Sequence, residues 1–159
     1  MPRYTMLIGV PASGKSTWRN ANAGHAEIIS TDDIIEKIAA SNGQTYNDAF
    51  KDNIKFATQI AKQRIVEAFN ADLDVVHDQT NITKKSRASK LAMVPEHYRK
   101  TAVFFATPLE EEWQRRLNSR PGKSIPAHIL DSMVEMLEMP ELDEGWHTIE
   151  YHMNAKIPS

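Results

Sequence analysis

The chain has no cysteine. Disulfides, thiolate metal sites and cysteine nucleophiles are therefore excluded, and a reducing cytoplasm suits the composition. No other histidine stands at metal-ligand spacing from His77, the six are otherwise scattered, and a zinc site is not expected. No apolar run approaches the roughly 20 residues of a membrane span, residue 1 stands almost directly before a strand, and no secretion signal is visible. Glycine and proline are few, six and eight in 159 residues, and neither a low-complexity segment nor an interdomain linker appears. The net charge of −2 rules out a global field of the kind that gathers nucleic acid, while leaving room for a local patch. What remains is an ordinary soluble composition, with a length that suits one domain spanning residues 1–159.

Against that background one stretch is specific. Gly9-Val-Pro-Ala-Ser-Gly-Lys-Ser-Thr17 fits the phosphate-binding pattern G-x-x-x-x-G-K-[ST]. An apolar run, Tyr4 to Ile8, precedes it as a buried strand, and Lys15 to Ala23 follows as a helix. That context lets consecutive backbone N–H groups and a helix N-terminus face one hollow suited to a polyphosphate. Gly9, Ala12, Ser13, Gly14, Lys15, Ser16 and Thr17 are the candidate nucleotide-binding residues. Lys15 is expected to reach the outer phosphates, and the Ser16 hydroxyl to ligate Mg2+.

Further along, strands are expected at 26–30, 73–77, 101–107 and 147–152. Helices are expected at 33–40, 48–69, 83–93, 108–118 and 126–137, with Ser30 or Thr31 capping the first of these. Alternation of this kind predicts an α/β fold, a parallel β-sheet sandwiched by helices, with ligands at the carboxyl ends of the strands. Charge is uneven. Residues 84–100 carry Lys84, Lys85, Arg87, Lys90, Arg99 and Lys100 against Glu96 alone, whereas the charged residues of 131–144 are all acids. Two solvated helix faces would explain this, and so would a basic platform for a phosphate backbone.

A P-loop indicates a nucleotide and not a reaction. The end of strand two, Ser30-Thr-Asp-Asp33, offers a carboxylate where a kinase needs one to orient an acceptor hydroxyl and take its proton. Asp32 is preferred to Asp33, although both could simply cap a helix. Asp78 closes an apolar strand and is the candidate for the Mg2+ shell, with Thr80 and Asn81 serving the P-loop or the acceptor. His77 reads as packing or hydrogen bonding. Arg116, Arg120 and Lys123 lie in a basic loop, a lid at about 116–126, that could close over the phosphates and stabilise the transferring group. Asp72-Leu-Asp-Val-Val76 mimics a phosphatase signature but follows a helix, and no phosphatase domain is expected.

The series G-V-P-A-S-G-K-S-T-W, S-T-D-D, D-Q-T-N and R-L-N-S-R-P-G-K-S-I-P resembles the 5′-polynucleotide kinase domain of T4-like bacteriophage end-healing enzymes, over residues 3–138. The resemblance implies Lys15 and Ser16 on phosphates and magnesium, Asp32 as general base, and Arg120 as the lid arginine. Arg116 begins the same lid motif, with Leu117 intruding before Asn118. Arg87 falls where that family carries a basic residue after its T-N pair, and joins Asp33, Thr80 and Asn81 as a candidate acceptor-binding residue. Position 35 departs from the family: Ile35 stands where those kinases carry an arginine that grips substrate phosphate.

The leading expectation is ATP-dependent, Mg2+-assisted phosphorylation of a 5′-hydroxyl end of DNA or RNA, in the cytoplasm (the host's, if the chain is phage-encoded). Ser41 to Phe56, with Tyr46 and Phe50, could form the acceptor's approach, an aromatic there stacking on a base. The runner-up is a small-molecule kinase acting on a sugar, nucleoside, antibiotic or modified amino acid. A nucleotide-dependent switch is the third reading, disfavoured because a switch has little use for an acceptor base.

Overall fold

The computed structural model describes residues 1–153; the end of the expected 1–159 domain, residues 154–159, lies outside them. The five expected strands form: β1 (Arg3–Ile8), β2 (Glu27–Ile29), β3 (Val75–Asp78), β4 (Arg99–Phe105) and β5 (Thr148–His152). They form one sheet in the order β2-β3-β1-β4-β5, with every neighbouring pair parallel. Leu7 lies beside Asp78 and Ile8 beside Phe104, so the carboxyl ends of β1, β3 and β4 come out together. Helices cover both faces, which is why these three strands read as unbroken apolar runs rather than alternating ones. On one face Tyr4, Met6 and Ile8 pack with Ala61, Ile65 and Phe69; on the other, Leu7, Val76, Val103 and Phe105 pack with Trp18.

The helices are α1 (Lys15–Asn22), α2 (Thr31–Asn42), α3 (Tyr46–Asn70), α4 (Lys84–Leu91), α5 (Glu110–Asn118) and α6 (Ala127–Met136). Both α2 and α3 begin two residues before their expected starts. The reason is capping: Ser30 Oγ accepts the Asp33 N–H at 3.2 Å, and Thr45 Oγ1 accepts the Asp48 N–H at 3.2 Å. The two helices pack along Ile35, Ala39, Ala49 and Ala57. Ile35 is fully buried there, so position 35 faces a helix partner and not a ligand.

The two charge runs meet. Lys84 pairs with Glu141 at 2.8 Å, and Arg87, wholly buried, pairs with Glu144 at 2.8 Å in the 3-10 turn Leu142–Glu144. Lys90 donates to Gln79 at 2.7 Å and to Asn81 Oδ1. These cations are paired within the chain, and a basic platform, one of the two readings of the charge run, loses its middle. The phosphatase-like Asp72 and Asp74 sit at the amino ends of the strands, opposite the P-loop. Asp72 contacts His97 at 2.6 Å and Asp74 accepts the Arg3 N–H at 2.8 Å, so both hold a turn together.

Candidate active site

Residues 9–14 join β1 to α1 through two left-handed positions, Ala12 (φ 60°) and Gly14 (φ 112°), the latter capping α1. Such alternation turns successive N–H groups toward one side. Gly9 forms the underside: its N–H donates to the Thr80 carbonyl at 2.9 Å, and a Cβ there would stand 2.6 Å from Ser13 Oγ and 3.1 Å from Phe105 Cβ. Gly9 and the buried Ser13 thus support the loop from beneath, while Ala12, Gly14, Lys15, Ser16 and Thr17 line the cleft above it. Lys15 Nζ donates to the carbonyls of Gly9 (2.6 Å) and Val10 (3.3 Å). Burial lowers its pKa to about 8, with Asp78 and Asp32 pulling the other way. From behind, Trp113 Nε1 donates to the Pro11 carbonyl at 2.8 Å, and Val10 packs with Trp113 and Leu130.

The cleft has a volume of about 1240 Å³ and is bounded by the P-loop, α2, the start of α3, the end of β3 and the lid. That exceeds the roughly 300–1,000 Å³ of a single-ligand pocket, leaving room for two substrates. Asp32 and Asp33 enter from the first turn of α2, and Asp78 and Thr80 from the end of β3. Asp32 is exposed to the cleft. Its Oδ1 accepts a hydrogen bond from the Tyr46 hydroxyl, and its Oδ2 lies 3.8 Å from Lys123 Nζ. Asp33 and Asp78 share Arg19, at 3.1 and 2.8 Å. Burial raises the pKa of Asp78, while Lys15 and Arg19 oppose that rise.

The lid is part helix and part loop. Arg116 belongs to α5, where Glu112 holds its Nε at 2.9 Å and its Nη1 donates to the Ala12 carbonyl at 3.3 Å. The loop itself begins after Asn118 and carries Arg120 and Lys123 into the cleft. It is docked on α3: Asn47 Nδ2 donates to Ser124 Oγ at 2.8 Å, and the Asn47 N–H to the Gly122 carbonyl at 3.2 Å.

Two expected acceptor contacts lie elsewhere. The Arg87 side chain is enclosed, spanning Glu144 and the Asn81 carbonyl (2.9 Å), because α4 packs it inward beneath the Leu142–Glu144 turn. Asn81 is also buried; its amide donates to the Leu7 carbonyl at 2.8 Å and steadies the end of β1. His77 is internal as expected, 2.7 Å from the Tyr4 hydroxyl, and burial lowers its pKa to about 3. Sequence reasoning overlooked Arg19, although it follows Lys15 by one helical turn and so shares its face. It also lacked the contacts of Tyr46 and Lys123 with Asp32.

Among the described residues no group of three or more metal-type side chains occurs. An exposed Ser16 hydroxyl and the Asp78 carboxylate on one cleft fit Mg2+, which keeps waters and takes phosphate oxygens rather than an all-protein cage.

A parallel sheet, a P-loop at its carboxyl edge and a cation-bearing lid define a P-loop nucleotide-binding protein of the kinase fold, as the sequence predicts. Residues 5–140 match the model of the AAA domain family, and the chain belongs to that family. Similar solved structures include a candidate kinase from Chloroflexus aurantiacus J-10-fl, with 14% identity, 97% of this chain and 89% of that one covered, and a TM-score of 0.71. A chain of the Pnkp1/Rnl/Hen1 RNA repair complex has 22% identity over 86% of this chain and 44% of its own length, with a TM-score of 0.65. A gluconokinase from Sinorhizobium meliloti 1021 has 21% identity over 98% and 85%, with a TM-score of 0.57. At such identities the likeness is one of fold.

Proposed function

We propose that this chain is an ATP-dependent kinase acting on 5′-hydroxyl ends of polynucleotides, working as one domain in the cytoplasm. The observation that carries the phosphotransfer reading is the position of Asp32, in one cleft with Lys15 and Arg120. The acceptor O–H gives its proton to Asp32 as the oxygen bonds to the γ-phosphorus, and the bond from that phosphorus to the bridging oxygen of ADP breaks. Lys15 and the P-loop N–H groups hold the donor's phosphates, and Arg120 meets the charge that spreads over the moving group. Magnesium, when bound through Ser16 with Asp78 nearby, neutralises phosphate charge. Arg19, paired with both Asp33 and Asp78, lines this cleft as a cation, whereas Ile35 is buried and contributes none. Support for a polynucleotide acceptor comes from the motif series and from the likeness to a chain of an RNA repair complex.

A second reading, phosphorylation of a small hydroxyl compound, is favoured by the pairing of Lys84, Arg87 and Lys90 within the chain, which takes these three cations from a long strand. The decisive experiment is transfer of labelled γ-phosphate from ATP with Mg2+ to a 5′-hydroxyl oligonucleotide, comparing wild type with Asp32→Ala. Transfer that disappears in the variant supports the kinase and its base together. A folded, ATP-binding wild type that labels neither DNA nor RNA ends rejects the polynucleotide reading and directs the search to small alcohols.

A further inference from the structure

Taking Asp32 as the base proposed above, we infer that Tyr46 is the positioning residue of this site, orienting the Asp32 carboxylate through its hydroxyl while its ring seats the lid. Asp32 stands at the exposed start of α2, where a lone carboxylate would turn freely among rotamers. Tyr46 restricts that freedom: its hydroxyl donates to Oδ1, so that Oδ2, 3.8 Å from Lys123 Nζ, is the oxygen that meets an incoming O–H. The donor is delivered by a rigid element. Tyr46 is the first residue of α3, capped by Thr45, and its ring leans on Phe50 with centroids 6.0 Å apart.

The same ring carries the lid. Lys123 Nζ lies 4.5 Å from the ring centroid, a cation–π contact, and also bonds Glu36 at 2.7 Å. Its neighbour Asn47 grips Ser124, so the first turn of α3 touches the base on one side and the lid on the other. Arg120, three residues before Lys123, acts electrostatically on both Lys15 and Tyr46. Burial, followed by the bond to Asp32, pushes the Tyr46 phenol well above its ordinary pKa, so it stays a donor throughout. A proton taken by Oδ2 leaves Oδ1 as the carbonyl oxygen, and the Tyr46 bond persists through the transfer. Closing the lid and aiming the base thus share one side chain.

The test uses the full chain with Tyr46→Phe, which keeps the ring, and Tyr46→Leu, which loses both ring and hydroxyl. Turnover, KM for ATP and for oligonucleotide, and acceptor-independent ADP release are measured for each, with thermal melts to verify folding. Tyr46→Phe is expected to lower kcat by about 10- to 100-fold at unchanged KM for ATP, the effect of a misaimed base. On an Asp32→Asn background the same change should cost nothing further. Tyr46→Leu should in addition raise KM for ATP and ADP release, because the lid loses its seat. Wild-type turnover in a folded Tyr46→Phe protein, or an equal loss on the Asp32→Asn background, overturns the inference. If the wild type labels no oligonucleotide, only the polynucleotide reading fails, and the same comparison on a small alcohol or on water decides Tyr46.

Discussion

Replacing Arg87 by methionine separates a structural arginine from a substrate-binding one. Its side chain is 0% exposed and that of Glu144 9%, with Nε–Oε1 at 2.8 Å and a further bond to the Asn81 carbonyl. Removing one partner strands the Glu144 carboxylate with the Glu141 N–H at 2.7 Å as its remaining hydrogen bond. Breaking a buried pair in this way costs about 3–5 kcal/mol. For a chain of this size each kcal/mol lowers Tm by roughly 2–4 °C, so Arg87→Met should melt about 6–20 °C early. Replacing both members by apolar residues is often near neutral, so Arg87→Met with Glu144→Leu should recover most of the loss. The assay is paired thermal and urea unfolding, together with KM for oligonucleotide below the variant's melting range. A variant that keeps its Tm but binds oligonucleotide many-fold more weakly would refute the reasoning and return Arg87 to the acceptor.

Three further outcomes follow from the same geometry. Arg120→Ala should reduce phosphoryl transfer by about 10³-fold or more, the effect of losing a transition-state arginine, with Tm unchanged; a loss under tenfold would assign its role to another cation. Gly9→Ala drives a Cβ to within 2.6 Å of Ser13 Oγ, between the P-loop and Phe105. Overpacking of this kind costs about 1–3 kcal/mol, and ATP affinity by calorimetry should fall with it. His77 gives the fold an acid limit, since its pKa of about 3 lies below the ordinary 6.5 through burial first and the Lys90 charge second. Between those values the unfolded chain binds a proton that the folded chain refuses, so stability falls as pH falls, by at most roughly 1.4 kcal/mol per unit. His77→Gln should flatten that slope in urea titrations at pH 6.5 and 4.

Features made by residues near one another in the chain were legible without coordinates. The P-loop needs Gly9, Gly14, Lys15 and Ser16 at fixed offsets, and the parallel sheet announces itself through apolar runs. Even the errors at helix starts were local: Ser30 and Thr45 are ordinary caps whose reach of three residues moves each boundary back. Asp32 could be chosen because it follows β2 at the carboxyl end of the strand, the side on which a parallel sheet also carries its P-loop.

The fate of the charges could not be read that way. Lys84-Lys-Ser-Arg-Ala-Ser-Lys90 looks like a solvated basic helix, yet Arg87 is the most enclosed cation described because Glu144, 57 residues later, folds over it. Arg19 becomes a bridge between Asp33 and Asp78 only because β3 lies beside β1. Tyr46 finds Asp32 because α3 turns back on α2 along Ile35 and Ala49. A residue's type and spacing establish what it is able to do, whereas partner and solvation depend on which distant segments pack together. The amino-acid order therefore determined a nucleotide-binding P-loop on a parallel sheet with a carboxylate at its edge, while packing alone decided which cations face the cleft, since Coulomb attraction and desolvation act through space and not along the chain.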